Sequence, residues 1–284
     1  MLLIRNADLY APEPLGLNDL LIAAERVLAV RPAGEISSAA LADFSDCLRV
    51  IDAEGGMVAP GIIDRHVHFN GAGGEGGPAH RTPPLQLSSF VRAGVTSAVG
   101  LLGTDGVCRS LPELLMKARG LEEEGISTWI LTGSYSFPSP TLTGSVQRDL
   151  CLIDKVIGLK LAVSDHRSSH PTVEEIRRSV SDARTGGILS GKVGCLCVHM
   201  GNEKEGLEPL LRAVEGSDSP ISQFAPTHIS RTEELLEQSV EFGRRGGYLD
   251  ITAEVGRKPL FGRGTSGVVD TLLSGRSEEH TSEL

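Results

Sequence analysis

The stretch Gly61-Ile-Ile-Asp-Arg-His-Val-His-Phe-Asn70 is an apolar run that ends in two histidines separated by one valine. In a strand, side chains alternate between faces, so His66 and His68 point the same way, about 6.6 Å apart at the backbone. Two imidazoles at that spacing can grip one metal ion. The same pair can also be polar residues where a strand meets solvent, so the surrounding sequence has to decide.

Downstream of residue 57, apolar strands alternate with amphipathic helices. The strand candidates are Val58–Phe69, Ser97–Leu102, Thr128–Thr132, Val156–Val163, Gly194–His199, Phe224–Ile229 and Tyr248–Thr252. Ser110-Leu-Pro-Glu113 and Thr172-Val-Glu-Glu175 read as capping boxes that start helices. Gly94, Gly125, Gly158 and Gly186 sit where helices should stop. Such alternation predicts a parallel sheet with helices outside. A doubly wound sheet usually has five or six strands, whereas seven in regular succession predict a (β/α)8 TIM-type barrel lacking its last unit.

Upstream, residues 1–56 hold short β-like runs (Leu2–Ile4, Asp19–Ile22, Val27–Val30, Leu48–Ile51) separated by Pro12, Pro14, Gly16, Pro32 and Gly34. They predict a small, incomplete β-sandwich domain ahead of a barrel over 57–275. Residues 276–284, Arg-Ser-Glu-Glu-His-Thr-Ser-Glu-Leu, look like a translated sequencing-library adapter and are set aside. The expectation is therefore a fragment whose natural chain continues past Gly275, with negligible activity when residues 1–275 are expressed alone.

Composition narrows the function classes. The 284 residues are 40% apolar and 23% charged, with a net charge of −10, which argues against a nucleic-acid or anionic-membrane surface. No apolar run approaches the roughly 20 residues of a membrane span. Five cysteines without framework spacing fit a reducing compartment, and the expected location is cytoplasmic.

In a barrel the chemistry stands at the carboxyl ends of the strands. There the sequence places His66 and His68 on the first strand, Lys160 on the fourth, His199 on the fifth and His228 on the sixth. An ammonium among metal-binding histidines would be repelled and costly to bury. Reaction of Lys160 with CO2 to a carbamate would turn +1 into −1; otherwise its stem packs in the wall and its head reaches water.

The segment Val50-Ile-Asp-Ala-Glu-Gly-Gly-Met-Val-Ala-Pro-Gly-Ile-Ile-Asp-Arg-His-Val-His68 resembles the signature of the amidohydrolase superfamily. The chain is similar, more narrowly, to the isoaspartyl (β-aspartyl) dipeptidases. The similarity runs through Gly73–Pro78, Val99–Asp105, Leu131–Tyr135, Ser164–Arg167, Val198–Gly201 and Pro226–Arg231. The resemblance implies two Zn2+ ions, one on His66 and His68 and the other on His199 and His228, bridged by carboxylated Lys160 and a hydroxide. It implies that Tyr135 hydrogen-bonds the scissile carbonyl, and that Glu75, Thr104, Arg167 and Arg231 contact a small dipeptide with an N-terminal isoaspartyl residue. A further aspartate on an eighth strand and a nearby serine would fall beyond Gly275. The full-length protein is expected to be a homo-oligomer. The rival readings are a cyclic amidohydrolase of the dihydropyrimidinase or hydantoinase type, and a truncated chain without catalysis.

Several signals are set aside. Gly71-Ala-Gly-Gly-Glu-Gly76 matches the dinucleotide fingerprint, but Pro78, Pro83 and Pro84 delay any helix. Cys195 and Cys197 share a face with His199 and read as core thiols. His166 beside Arg167 is a candidate to orient it, His80 and His170 are loop residues, Asp250 reads as structural within the seventh strand, and Asp270 matches no motif.

Overall fold

The computed structural model describes residues 1–37, 39–252 and 264–275. The adapter-like tail at 276–284 lies outside them. The chain divides into two compact units, Met1–Ile62 and Ile63–Leu284.

The first unit is built on β1 (Leu2–Tyr10), β2 (Pro14–Ala23), β3 (Arg26–Pro32), β4 (Arg49–Asp52) and β5 (Met57–Val58). The sheet order is β3-β2-β1-β4, with β5 also pairing β1, so Met57 and Val58 belong to this sheet. The barrel strand expected to begin at Val58 instead begins at Ile62. Ala7, Leu9 and Leu20 form the small core. Asp19 is fully buried because its carboxylate accepts the backbone N–H of Asn6 and of Gly34, each at 3.0 Å.

The second unit carries β6 (Ile62–Val67), β7 (Val95–Gly100), β8 (Ser127–Gly133), β9 (Val156–Val163), β10 (Cys195–Met200) and β11 (Phe224–Thr227). They lie side by side in chain order, and β7 through β11 pair in parallel. This curled six-stranded sheet is a partial (β/α)8 barrel. Helices α1 (Leu87–Arg92), α2 (Leu111–Glu123), α3 (Val146–Leu152), α4 (Val173–Ser190), α5 (Glu208–Glu215) and α6 (Glu233–Arg244) each follow a strand, and α7 (Gly264–Gly275) comes last. Asp270 therefore sits within a helix. Helical spacing brings Leu111, Leu114, Ala118 and Leu121 of α2, and Ile176, Val180 and Ala183 of α4, into one large core with the outer face of the sheet. Val99, Leu101, Leu131 and Cys197 form a smaller cluster.

Four local expectations need correction. Tyr248–Thr252 makes a single bridge, Asp250 to Thr227, rather than a strand. The cause lies next door: β11 stops at Thr227 because His228 turns into the left-handed region, at φ 64°. Gly158 stands inside β9, where a Cβ would meet the Cys195 carbonyl oxygen at 2.6 Å. Gly186 stands inside α4, pressed against Leu150 and Gln147, and the helix ends instead at Gly191. At Ser110 only half a capping box forms: its Oγ accepts the Glu113 N–H, while the Glu113 side chain pairs with Arg109 and accepts from Asn70. The box at Thr172 and Glu175 is complete.

Among the described residues no helix is long and apolar enough to cross a membrane.

The loop between β8 and α3 is held by one buried carboxylate. Asp149 accepts from Thr132 Oγ1 (2.5 Å), Leu142 N (2.8 Å), and Thr143 N and Oγ1 (both 2.7 Å). Asp149→Ala leaves four donors without an acceptor, and the expected loss is about 3 kcal/mol or more of unfolding free energy in urea denaturation.

Candidate active site at the carboxyl ends of the strands

The parallel ladder sets the site. Register places Lys160 opposite Gly133 on one side and Cys197 on the other, so the lysine lies inside the sheet at zero exposure. Gly133, at φ 85°, has no room for a side chain because the Lys160 carbonyl oxygen stands 2.4 Å from its Cβ position. That turn leads the chain from β8 to Tyr135.

The four histidines follow one another around the rim. Ring centroids are 5.3 Å apart for His68 and His66, 5.1 Å for His66 and His228, and 4.8 Å for His228 and His199. Burial, then the charge of Lys160, holds His66 far below the usual imidazole range. The same causes hold His199 at about 2 and His228 at about 3. His68 is lowered by burial against the opposing pull of the Leu101 carbonyl. The set is thus four neutral imidazoles, the form that can ligate. Burial also lowers Lys160, whose Nζ has Cys197 Sγ at 3.9 Å and no carboxylate within ion-pair distance among the described residues.

The ring nitrogens are unequally engaged. His66 Nδ1 is buried without a hydrogen-bond partner, and Asp250 Oδ2 stands 3.9 Å away. His68 Nδ1 contacts the Leu101 carbonyl at 2.9 Å, and His228 Nδ1 the Thr252 hydroxyl at 2.5 Å. His199 has both nitrogens occupied, Nδ1 by the Tyr135 hydroxyl at 2.5 Å and Nε2 by Asp165 Oδ2 at 2.8 Å. Among the described residues no three His, Cys, Asp or Glu side chains converge as a ready metal-binding group. The donors are gathered, but at His199 they are spent on neighbours.

The remaining expected residues meet in the same place and bind one another. Glu75 accepts from Thr104 Oγ1 and from Arg167 Nη1, both at 2.8 Å. Arg167 lies 5.6 Å above the Tyr135 ring. Arg231 Nη1 is 4.0 Å from Asp165. A cavity of about 140 Å³ opens between His68, Gly73, Glu75, Thr104 and Tyr135. The glycine-rich loop carrying Glu75 makes no helix, and α1 starts only at Leu87.

Asp165 is the residue that the sequence reading passed over, although its signal was available as a carboxylate two positions before Arg167 at a strand end. It, and not His166, orients the arginine: the His166 side chain is 84% exposed, whereas that of Asp165 is 2% exposed and bonds Arg167 directly. Cys195 and Cys197 keep their protons, with burial pushing Cys195 up to about 11. His80 is exposed, and His170 faces Glu203 at 3.7 Å.

With this arrangement in view, the comparisons with known proteins can be read. No family model matches the chain. The beta-aspartyl dipeptidase of the thermophilic keratin-degrading Fervidobacterium islandicum AW-1 is 44% identical, with a TM-score of 0.90, over 96% of this chain and 72% of its own. The same enzyme in complex with the dipeptide beta-Asp-Leu matches at 43% identity and a TM-score of 0.89, over 97% and 71%. N-isopropylammelide isopropylaminohydrolase from Burkholderia multivorans shares the fold at 15% identity and a TM-score of 0.59, over 96% of this chain and 72% of its own. Fold and relatives together define a hydrolase barrel. The chain belongs to the beta-aspartyl dipeptidases of the amidohydrolase superfamily, and so to the peptidases.

Lys160 is an expensive residue to bury unpaired. Lys160→Met keeps the length of the side chain and removes its amine. The expected result is a gain of about 1 kcal/mol in unfolding free energy by urea denaturation, at the expense of the site.

Proposed function

We propose that the chain carries the site of a binuclear zinc metallopeptidase that hydrolyses the isopeptide bond of β-aspartyl dipeptides. The observation that carries this reading is the set of four imidazoles held below their usual range around a fully buried lysine that has no carboxylate partner among the described residues. Those donors fit a dication. His66 has a buried nitrogen without a hydrogen-bond partner among the described residues, and burial lowers Lys160 toward the neutral amine that takes up CO2. His66 and His68 would hold one Zn2+, His199 and His228 the other, with carboxylated Lys160 between them. When bound, the metal pair supplies a water of lowered pKa and a Lewis acid for the scissile carbonyl.

The chain's own residues do the rest. Glu75 receives the substrate ammonium and releases Arg167 Nη1. Arg167 and Arg231 then face the two carboxylates, where a guanidinium can pair through two parallel hydrogen bonds. Thr104 keeps Glu75 in place through its hydroxyl. Tyr135 keeps its proton because burial raises its pKa, and it turns from His199 Nδ1 to donate to the carbonyl oxygen as charge develops there. A hydantoinase-like reading is less supported, since a cyclic amide brings no ammonium for Glu75. The relative solved with beta-Asp-Leu supports the dipeptide.

Binding is the measurement to make, because it asks only for the groups described above. Calorimetric titration should give two zinc ions per chain, and the loaded chain should then bind β-Asp-Leu in preference to dihydrouracil. Uptake of one ion or none, or equal binding of the two ligands, would overturn the reading. Glu75→Gln should weaken β-Asp-Leu by about 2 kcal/mol while leaving the zinc count unchanged.

A further inference from the structure

Asp165 has more built around it than a loop residue needs. It follows Ser164, which is held at φ 53° with its hydroxyl on the Gly206 carbonyl at 2.8 Å. Its own carbonyl accepts Ser168 N–H at 2.8 Å. From the other side the chain just past β10 runs so close that a Cβ at Gly201 would lie 2.4 Å from the Asp165 Cβ. The carboxylate is therefore aimed by the backbone on every side.

It is aimed at two residues. Oδ1 accepts from Arg167 N at 2.9 Å and Nε at 2.8 Å, and Oδ2 accepts from Arg167 Nη2 at 2.7 Å. This fork leaves Nη1 to point at Glu75, which itself lines the cavity. Oδ2 also lies 2.8 Å from His199 Nε2. Arg167 Nη2 also stands 3.2 Å from Nε2, but the shorter contact is to the carboxylate, which only accepts, so Nε2 carries the proton; Nδ1 then holds the lone pair, which the Tyr135 hydroxyl meets as a donor. The hydroxyl can donate or accept, so it is Asp165 that selects the tautomer.

We propose that Asp165 is a positioning residue serving both halves of the site: it fixes the His199 ring as the Nε2–H tautomer with Nδ1 offered for metal, and it presents one edge of Arg167 to substrate. The metal half of this proposal rests on the zinc reading above. A carboxylate behind a ligating imidazole orients the ring and raises its basicity, and loss of such a partner typically costs about 10- to 100-fold in metal affinity. The two effects have one origin, so they should be lost together.

The test uses the full chain, metal-free and labelled with 15N-histidine. Two-bond 1H–15N correlation NMR reports the His199 tautomer. The wild-type chain should show Nε2–H, and Asp165→Asn should shift the proton toward Nδ1 because an amide can donate to Nε2. The same variant should bind its weaker zinc ion about 10- to 100-fold less tightly. It should also lose β-Asp-Leu affinity, and Asp165→Glu should restore part of both. A wild-type His199 in the Nδ1–H form would overturn the proposal without any variant being needed. So would an Asp165→Asn chain that keeps the wild-type tautomer and both affinities. If the tautomer follows Asp165 but wild-type protein takes up no zinc, the metal reading fails while the positioning of His199 stands.

Discussion

A lysine amine sunk to zero exposure in a parallel sheet is the constraint on which the rest of the site depends. Burying a charge without a partner costs more than a marginally stable domain can spare, so the amine is driven toward its neutral form. Burial, and after it whatever charge that amine retains, holds the four histidines below the usual imidazole range. The ladder leaves little freedom here, because β8 and β10 fix β9 from both sides and Gly133 and Gly158 admit no side chain at the closest approaches. Stability has been given up at one position, as functional sites commonly require.

The negative charges answer that cluster in an ordered way. Asp165 is tied by Arg167 and His199, with Arg231 at 4.0 Å, and stays ionised well below the usual carboxylate range. Glu75 is pulled down as well, by the Thr104 hydroxyl and Arg167 acting against its partial burial. The rim is thus a set of charge pairs in which Tyr135 and Arg167 bond to neighbouring protein groups.

Much of this was legible in the sequence, for identifiable reasons. Strand–helix alternation survives because both faces of the sheet are buried, which demands largely apolar runs such as Val156–Val163, interrupted by Lys160, where expectation and structure coincide. His66, His199 and His228 were legible because a polar residue ending an apolar strand is conspicuous. Asp165 was legible only as a carboxylate two positions before Arg167, since its other contact, with His199, lies 34 residues away in the chain. Gly158 and Gly186 misled because a glycine demanded by close packing looks the same in sequence as one demanded by a helix end. Tyr248–Thr252 misled because its pattern is strand-like while its neighbour has already turned away at His228.

The Glu75–Arg167 pair gives the site a means of discrimination on the reading proposed above. The two groups are satisfied by each other at 2.8 Å, half exposed at Glu75 and mostly buried at Arg167. A ligand entering between them must break that pair. An isoaspartyl dipeptide can repay both sides, since its ammonium replaces Arg167 at Glu75 and one of its carboxylates replaces Glu75 at Arg167. A cyclic amide repays neither and would leave a buried guanidinium edge without an anion. Rejection by groups left unpaired is stronger than rejection by shape, so selectivity would come from what the wrong ligand fails to supply.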